Sequence, residues 1–341
     1  MLPDLHTIFS HSFRTAEGDY SDLLTDNEIE LLFQHKLFKC FLPESLGGLA
    51  LDLPATLRII QDAAYINGSL GWLVQIGNGG MYFATNFDEK LAEKFLQPAD
   101  AVISGSGTPT AKAISCEGGY MLSGSWKYCS GSAYATLFTV TFTTDDSDEI
   151  LSAVVPRKEV KVINDWDTIG MRNTSTNTIQ LENVFLSNDQ LFKVSERKAY
   201  FNEPALSLPF ILYAQAFFIH VVFGVFDRFL IEAEQMLPEK TSTSERVRKC
   251  LELIQKGRIT LETSKNTVDS ILSKILAPSA SFSEEEELAF QQTFIEKAKE
   301  LRVLAAELYA NMGIEVIYRK NPVAIFYMDL VTVSQHKLLN A

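Results

Sequence analysis

The chain has 341 residues, 46% of them hydrophobic and 21% charged, which is enough apolar material for a large core and two or three domains. Its formal net charge of −13 opposes contact with a polyphosphate backbone and argues against nucleic-acid binding. The cysteines are scattered, with no CxxC pair and no histidine at metal-ligand spacing, which argues against a metal site and fits a reducing compartment.

The first part of the chain, residues 1–97, predicts a helical domain. Its N-terminus lacks the basic region and cleavage site of a signal peptide, so we expect a cytoplasmic protein. Thr25 and Glu28 have the spacing of a capping box, and apolar residues follow at helical spacing. A break rich in proline and glycine then separates this helix from one beginning near Pro54, and another helix covers residues 70–83.

After Pro98 the pattern changes to short runs rich in Val, Ile, Thr and aromatic residues. Turn residues separate these runs, which cover 101–105, 120–124, 135–144, 151–155 and 178–185. Such runs predict an antiparallel sheet or small barrel over residues 98–197. We interpret the acidic run at 144–148 as a solvated hairpin tip, because carboxylates on one mobile turn seldom form a metal cage.

The segment 204–226 requires a test for membrane insertion. It carries no formal charge and is long enough to span a bilayer. It also contains two prolines, Gln215 and His220, and no basic flank marks a cytoplasmic side. We therefore interpret it as the buried central helix of a bundle that covers residues 198–341.

Two further signals mark the last helices. Ser283 and Glu286 form a second capping box at the start of a long helix, and Pro322 precedes a final helix that we expect to end at His336. The order of helices, strands and helices predicts an α+β chain with three domains: an N-terminal helical domain, a central antiparallel, barrel-like domain and a C-terminal helical bundle. The absence of a GxGxxG loop and of a Walker loop agrees with this class.

Three separated segments resemble one family. They are PESLGG with GSLGW at 43–48 and 68–72, GGYMLSGSWKYCSG at 118–131, and IGMRNTSTN at 169–177, which a LENVFL run follows. They resemble motifs of the two-component flavin-dependent monooxygenases, of the 4-hydroxyphenylacetate hydroxylase type, within the acyl-CoA dehydrogenase superfamily. The segments occur in the order of the family over most of the chain, so their combination is more specific than any one of them.

The resemblance implies a bound flavin, FAD or FMN, held between the domains, with binding of only the reduced form as an alternative. A flavin needs aromatic or apolar flanks, hydrogen-bond donors near N5 and O4, and small polar groups at its phosphates. The residues predicted to bind it are Trp126, Tyr128, Ser130, Gly131, Arg172, Thr174, Ser175 and Thr176. Because Trp126, Tyr128 and Ser130 alternate, we expect them on one strand face, with a Ser130–Gly131 turn aimed at the ring. The alternative is sheet core for the two aromatic residues and a turn cap for Ser130.

The C-terminus carries the same resemblance, from Leu308 through Gly313 and Asp329 to Gln335 and His336. By this match His336 lies beside the flavin, where an imidazole with a pKa near neutrality could assist the reaction with oxygen. The resemblance thus implies that Ser130 and His336 are the catalytic residues. The alternative for a lone histidine is a core or surface residue without a chemical role.

The chain departs from the family pattern at several positions. Ile325 and Met328 stand where two arginines are expected, and Asn78 stands in a helix where some hydroxylases carry a histidine. These departures keep open a relative that has the fold but no catalysis. Another alternative to a monooxygenase is an acyl-CoA dehydrogenase that passes electrons to an electron-transfer protein. The usual late glutamate of that branch is absent, and Glu203 is the candidate base.

The sequence therefore predicts a flavin-dependent oxidoreductase that uses reduced flavin, supplied by a partner reductase, and oxygen to oxygenate a small aromatic or aliphatic molecule. The apolar C-terminal helices, together with the resemblance, predict a homodimer or homotetramer with an extensive helical interface. No nucleic-acid or membrane partner is expected.

Overall fold

The N-terminal part is helical, as predicted. The protein is described by a computed structural model that covers residues 3–9, 23–198, 204–237, 244–277 and 280–340. The first helices are α1 (Leu5–Ile8), α2 (Asp26–Gln34), α3 (Leu53–Ile66), α4 (Gly68–Gly80) and α5 (Glu89–Leu96), with short 3-10 turns at Glu44–Leu46 and Met81–Asn86. The capping box predicted at the start of α2 is present, with reciprocal bonds between Thr25 and Glu28.

The middle of the chain forms one sheet of seven strands. They are β1 (Ile103–Cys116), β2 (Gly119–Cys129), β3 (Leu137–Thr144), β4 (Ile150–Pro156), β5 (Lys161–Ile163), β6 (Asn177–Ser187) and β7 (Leu191–Phe192). Their order is β5-β6-β2-β1-β3-β4-β7. Each of the five predicted runs overlaps a strand, although the runs at 101–105 and 135–144 begin two residues before β1 and β3. The two strands that were missed have only three and two residues.

The predicted barrel-like closure is wrong, and the predicted antiparallel pairing holds for all described strand pairs but one. Among the described strands, β5 and β7 are the two edges and do not pair with each other, so the sheet is open. β1 and β3 pair in parallel, while the other pairs are antiparallel. The reason lies in the connection after β2. Instead of returning beside β2, the chain crosses to the far edge of β1 and so runs in the direction of β1.

The C-terminal part is a helical bundle. It contains α6 (Phe210–Met236), α7 (Glu245–Ile275), α8 (Glu284–Asn311) and α9 (Pro322–Val333), with a 3-10 turn at Ile314–Ile317 before α9. The predicted capping box at Ser283 is present at the start of α8. Helix α9 ends at Val333, so His336 lies in the turns after it rather than inside it.

Helix α6 is the centre of this bundle. It packs against α3, α4, α7, α8 and α9. In the described part of the chain it is the one helix of at least 18 residues apolar enough to cross a membrane, and 83% of its most apolar window is buried inside the protein. This burial agrees with its interpretation as a core helix. It also removes one argument for an oligomer, since this apolar surface is already covered within the chain.

Helix α4 lies where the parts of the molecule meet. It contacts α6 and α9 of the bundle, strand β1, and the 3-10 turn Arg172–Thr174. On the sheet, Cys129 at the end of β2 pairs with Asn177 at the start of β6. The turn that follows β2 and the loop that precedes β6 therefore emerge side by side next to α4. The division into domains at 97/98 and 197/198 stays a prediction.

Candidate functional site

A bulge at the end of β2 changes the predicted strand face. Trp126 pairs with Ile179 and Cys129 pairs with Asn177, so β2 contains one residue more than β6 over this stretch. Tyr128 takes up the extra length with a φ of 64°. As a result, the rings of Trp126 and Tyr128 do not share a face.

The two aromatic residues consequently have different surroundings. Trp126 is fully buried and donates its indole N–H to the carbonyl of Thr141 at 2.8 Å. It therefore belongs to the core of the sheet, as in the alternative stated above. Tyr128 is 72% exposed, and its ring is available to a ligand. The prediction of a shared face failed because a positive φ in a bulge interrupts the two-residue period.

The turn after β2 and the loop before β6 are joined by hydrogen bonds. The N–H of Gly131 donates to the carbonyl of Thr174 at 2.8 Å, and the N–H of Ser132 donates to the carbonyl of Ser175 at 3.2 Å. The hydroxyl of Ser175 accepts the side-chain amide of Asn177 at 2.8 Å. The N–H of Gly131 and the hydroxyl of Ser175, both predicted to serve a cofactor, are thus engaged within the protein.

A chain of hydrogen bonds connects α4 to this loop. The indole N–H of Trp72 donates to Oγ of Ser130 at 2.9 Å. Oγ of Ser130 lies 2.9 Å from Oγ1 of Thr176, which lies 2.7 Å from Oγ1 of Thr174. The hydroxyl of Thr174 donates to the carbonyl of Met171 at 2.8 Å. Three hydroxyls therefore lie between a group that only donates and a group that only accepts.

These end groups determine the direction of every bond in the chain. Each hydroxyl has one proton. The proton of Thr174 goes to the carbonyl of Met171, so Thr174 accepts the proton of Thr176, and Thr176 accepts that of Ser130. The proton of Ser130 is therefore used internally. The predicted donor role of Ser130 does not agree with this arrangement, because its oxygen presents a lone pair instead.

A buried carboxyl group anchors the loop to helix α9. Oδ1 of Asp329 accepts the N–H of Met171 at 2.5 Å, and Met171 has a φ of 54°. A Cβ atom at Gly68 would lie 2.5 Å from Oδ2 of Asp329, and one at Gly170 would lie 2.1 Å from the carbonyl oxygen of Met328. Glycine is required at both positions because α4 and the loop approach α9 this closely. Burial raises the pKa of Asp329 to about 7, although the bond from Met171 opposes the shift.

His336 approaches the same place from the other side. Its ring lies 4.3 Å from the ring of Phe218 and 5.9 Å from that of Trp72, while Trp72 and Phe218 stack at 5.2 Å. Nδ1 of His336 accepts the N–H of Leu338 at 3.3 Å, which leaves the proton of the neutral imidazole on Nε2. Burial, and next the charge of Lys337, lower the pKa of His336 to about 4. The expected pKa near neutrality is therefore wrong, and His336 is neutral at pH 7.

Ser130 and His336, predicted from distant segments, are thus both in contact with Trp72. Thr174 and Thr176 are buried, as Ser130 is, and both belong to the hydrogen-bond chain that includes Ser130. Arg172 is half-buried in the 3-10 turn beside α4. Glu203 lies outside the described residues, and within the described residues no cluster of three or more His, Cys, Asp or Glu side chains could hold a metal ion.

Sequence reasoning missed Trp72, Met171, Phe218 and Asp329 as parts of this site. Trp72, Met171 and Asp329 stand in motifs that carried the resemblance, so a signal existed for them. Phe218 had none, since it is one of many apolar residues in α6. Asn78 accepts the N–H of Cys40 at 2.7 Å and donates to the carbonyls of Leu37 and Val74 at 2.7 and 2.8 Å, so it is fully engaged in packing.

Comparison with known proteins agrees with the family predicted above. No protein-family model matches the chain. It is 26% identical to indole-3-acetate monooxygenase of Pseudomonas putida over 68% of this chain and 60% of that protein. It is 23% identical to the enzyme of the same name from Acinetobacter baumannii over 95% of this chain and 86% of that protein. It is 26% identical to the oxygenase component of p-hydroxyphenylacetate 3-hydroxylase from Acinetobacter baumannii over 58% and 48%.

The chain is a homologue of flavin-dependent monooxygenases. The predicted resemblance is confirmed, and its relatives are oxidoreductases rather than binding modules. The matched region of this monooxygenase homologue spans less than two thirds of the Pseudomonas protein and about half of the hydroxylase component.

Solved structures show the same fold for this monooxygenase homologue. XiaF from Streptomyces sp., in complex with FADH2 and glycerol, matches with a TM-score of 0.88 at 19% identity over 98% of this chain and 90% of that chain. TdsC from Paenibacillus sp. A11-2, in complex with FMN and indole, matches with a TM-score of 0.74 at 19% identity over 91% and 86%. Both flavins named in the sequence prediction are thus found in proteins of this fold.

Proposed function

We propose that this protein is an oxygenase component that takes reduced FAD or FMN from a separate flavin reductase and uses oxygen to oxygenate a small organic molecule. The observation that supports this most is the convergence of Ser130 and His336 on Trp72. These residues come from the sheet and from the end of the bundle, and each was implicated by the family resemblance. A fold without catalysis would not require both to meet.

The residues present fit a flavin. Tyr128 offers an exposed ring at the end of β2 for stacking, and Ser130 offers a polar oxygen held in one orientation. Trp72 and Phe218 form an aromatic wall that excludes water on the side of His336. When bound, the reduced flavin supplies the electrons that oxygen requires.

His336 acts as a hydrogen-bond donor in this proposal. Because its pKa is about 4 and Nδ1 is already an acceptor, the group directed at a ligand is the neutral Nε2–H. Such a donor stabilises negative charge that develops as oxygen is reduced. It differs from a general base, which would need a free lone pair on the imidazole at neutral pH.

The substrate we propose is a small aromatic compound. The support is the set of rings at Trp72, Phe218 and His336, whose faces and edges favour a flat apolar molecule. We propose a partner reductase because relatives of this chain are oxygenase components of two-component systems. Reduced flavin would then pass from the reductase to this protein.

We further propose a homodimer or homotetramer. The support is a set of apolar side chains that the chain leaves exposed at the end of α8, namely Ile314, Ile317 and Tyr318, all more than 60% exposed. A cytoplasmic location remains a prediction. Sedimentation of the purified protein at micromolar concentration tests the assembly, and a monomer would contradict it.

The function is tested by binding before turnover. Anaerobic titration with FMN and FAD, each in oxidised and reduced form, gives four dissociation constants, and we expect reduced flavin to bind. Oxygen consumption with a flavin reductase and a panel of small aromatic compounds then reports oxygenation. If no flavin binds in either form, the non-catalytic alternative replaces this proposal. If oxidised FAD co-purifies and acyl-CoA bleaches it, the dehydrogenase alternative does.

A further inference from the structure

The directed hydroxyl chain has a consequence for the redox state of the ligand, and this inference rests on the proposed function. Trp72 donates at one end and the carbonyl of Met171 accepts at the other, so the protons of Ser130, Thr176 and Thr174 all point towards Met171. None of these five groups titrates in the physiological range, so the direction does not depend on pH.

Ser130 is left with one unused lone pair. A hydroxyl oxygen has one proton and two lone pairs. Its proton is directed at Thr176 and one lone pair accepts the indole N–H of Trp72. A ligand atom that meets Ser130 therefore meets an acceptor. It is bound well if it carries a hydrogen and repelled if it carries a lone pair.

The two redox states of a flavin differ in this respect. Two-electron reduction places a hydrogen on N5, whereas N5 of the oxidised ring has a lone pair. We propose that Thr174 and Thr176 determine the redox specificity of the site: by holding the proton of Ser130 away from the ligand, they make the site select reduced flavin. All three hydroxyl residues are buried, and the two threonines act through Ser130 because they are bonded to it in one chain and Ser130 is the residue that the proposed function places against the flavin.

The size of the selection follows from the alternative arrangement. To donate to an oxidised flavin, Ser130 must turn its proton away from Thr176, and this breaks a buried hydrogen bond. Losing such a bond weakens binding by roughly tenfold to a hundredfold. Neighbouring contacts resist a simple reversal, because the carbonyl of Met171 also accepts the indole N–H of Trp166 at 2.9 Å and its N–H is held by Asp329.

Two conservative substitutions test this. In Thr174→Val, Thr176 loses its acceptor and can donate to Ser130, which frees the proton of Ser130 for the ligand. In Thr176→Val, Ser130 loses its own acceptor, with the same result. We expect oxidised FMN or FAD to bind about tenfold more tightly to each variant, while reduced flavin binds nearly as before. A gain of affinity on deletion of a hydroxyl is not expected from structural damage.

A matched control is Thr141→Val. Thr141 is also a buried threonine, in strand β3. Its hydroxyl lies 2.9 Å from that of Ser152 and takes no part in the hydrogen-bond chain of Ser130. We expect its flavin affinities to equal those of the parent. The midpoint potential of the bound flavin is a second measurement. It should fall by about 30 mV in Thr174→Val and Thr176→Val for each tenfold loss of selection, the value for a two-electron couple.

The outcomes separate this inference from the proposed function. If the parent binds reduced flavin more tightly and both variants lose this preference, the inference holds. If all proteins bind flavin with the same ratio of oxidised to reduced affinity, the inference is wrong while the proposed function stands. If the parent binds neither form, the proposed function itself fails. Should one variant not fold, as judged by circular dichroism, the other decides.

Discussion

Two sides of the site contact Trp72 in different ways: a β side, formed by Ser130 and the loop before β6, and an α9 side, formed by His336 just after α9. On the β side, hydrogen bonds through Ser130, Thr176 and Thr174 use every hydroxyl proton. On the α9 side, His336 is held by aromatic rings and by one backbone N–H, and its Nε2–H remains available. One side therefore presents an acceptor and the other a donor. The proposed flavin would meet complementary groups on its two sides.

The strongest test of this contrast is His336→Ala. It removes the donor, and we expect oxygen-dependent turnover to fall by about two to three decades, the usual range for the loss of one positioned hydrogen-bond donor. His336→Gln should recover part of the rate, because its amide also offers an N–H. Stopped-flow measurements of reduced flavin with oxygen check this, with His35→Ala, at the C-cap of helix α2, as the control.

The same experiment separates a donor from a base. With a pKa of about 4, His336 does not titrate between pH 5.5 and 8. The rate that depends on His336 should therefore be flat over this range. A rise with a midpoint near pH 6.5 that disappears in His336→Gln would contradict the donor role.

The link between the two sides is Asp329, whose raised pKa gives a definite pH dependence. The folded protein keeps the carboxyl group protonated up to about pH 7, while the unfolded chain loses the proton near 3.8. Its contribution to stability is therefore present at low pH and is lost as pH rises through 7, by at most about 4 kcal/mol. Asp329→Asn keeps an acceptor for Met171 and should flatten this loss between pH 5 and 8, as measured by denaturant unfolding.

A contrasting variant at the same position is Asp329→Ala. It leaves the N–H of Met171 without its acceptor, so stability should fall by about 1–3 kcal/mol at low pH, where the carboxyl group of the parent is protonated. Because alanine has no carboxyl group to ionise, this deficit should shrink as pH rises to 7. If Asp329→Ala is as stable as the parent at low pH, the buried carboxyl group does not anchor the loop. If both variants keep the pH dependence of the parent, the raised pKa of Asp329 is wrong.

His220 is a buried histidine outside the site, and its effect on stability appears in acid rather than near neutral pH. Nδ1 of His220 bonds to the carbonyl of Ala216 at 2.6 Å, and burial lowers its pKa to about 4. The unfolded chain gains a proton near pH 6.5 and the folded protein does not, so stability is lost as pH falls from 6.5 to 4. His220→Leu should remove up to about 3 kcal/mol of this loss without changing flavin affinity. Unfolding curves at pH 5 and 7 measure it, and a change in flavin affinity would tie His220 to the site.

The smallest expected effect concerns Tyr128 on the β side. Its ring is exposed, so Tyr128→Ala should change the free energy of unfolding by less than about 0.5 kcal/mol. If the ring stacks on the flavin, its loss weakens flavin binding by about two- to tenfold, the usual value of an aromatic pair. Tyr128→Phe should bind like the parent. Equal affinity in all three proteins would exclude stacking by this residue.

Much of the fold could be predicted because its signals are local. The capping boxes at Thr25 and Ser283 depend on side chains three residues apart, and both are present. The alternating runs after Pro98 marked five strands, and the uncharged run after Pro204 marked the buried helix α6. Short strands were missed because two or three residues carry no period.

The candidate site was predicted less completely. Ser130 and His336 were named because they stand in family motifs, but their protonation and hydrogen-bond direction depend on groups far away in the chain. The bulge at Tyr128 and the left-handed Met171 depend on pairing with β6 and on the carboxyl group of Asp329, respectively. No pattern within β2 or the loop contains that information.

By itself, the sequence determined which segments are helices and strands, which helix is buried, and to which family the chain is related, because these properties follow from periodicity and from short motifs. Only the tertiary structure decided that the sheet is open and partly parallel, that Ser130 presents a lone pair, and that His336 is neutral. These properties depend on which edge of β1 receives β3, on the two ends of a hydrogen-bond chain that joins α4 to the loop, and on burial between Trp72 and Phe218. Each is a relation between distant residues, and it exists only once the chain has folded.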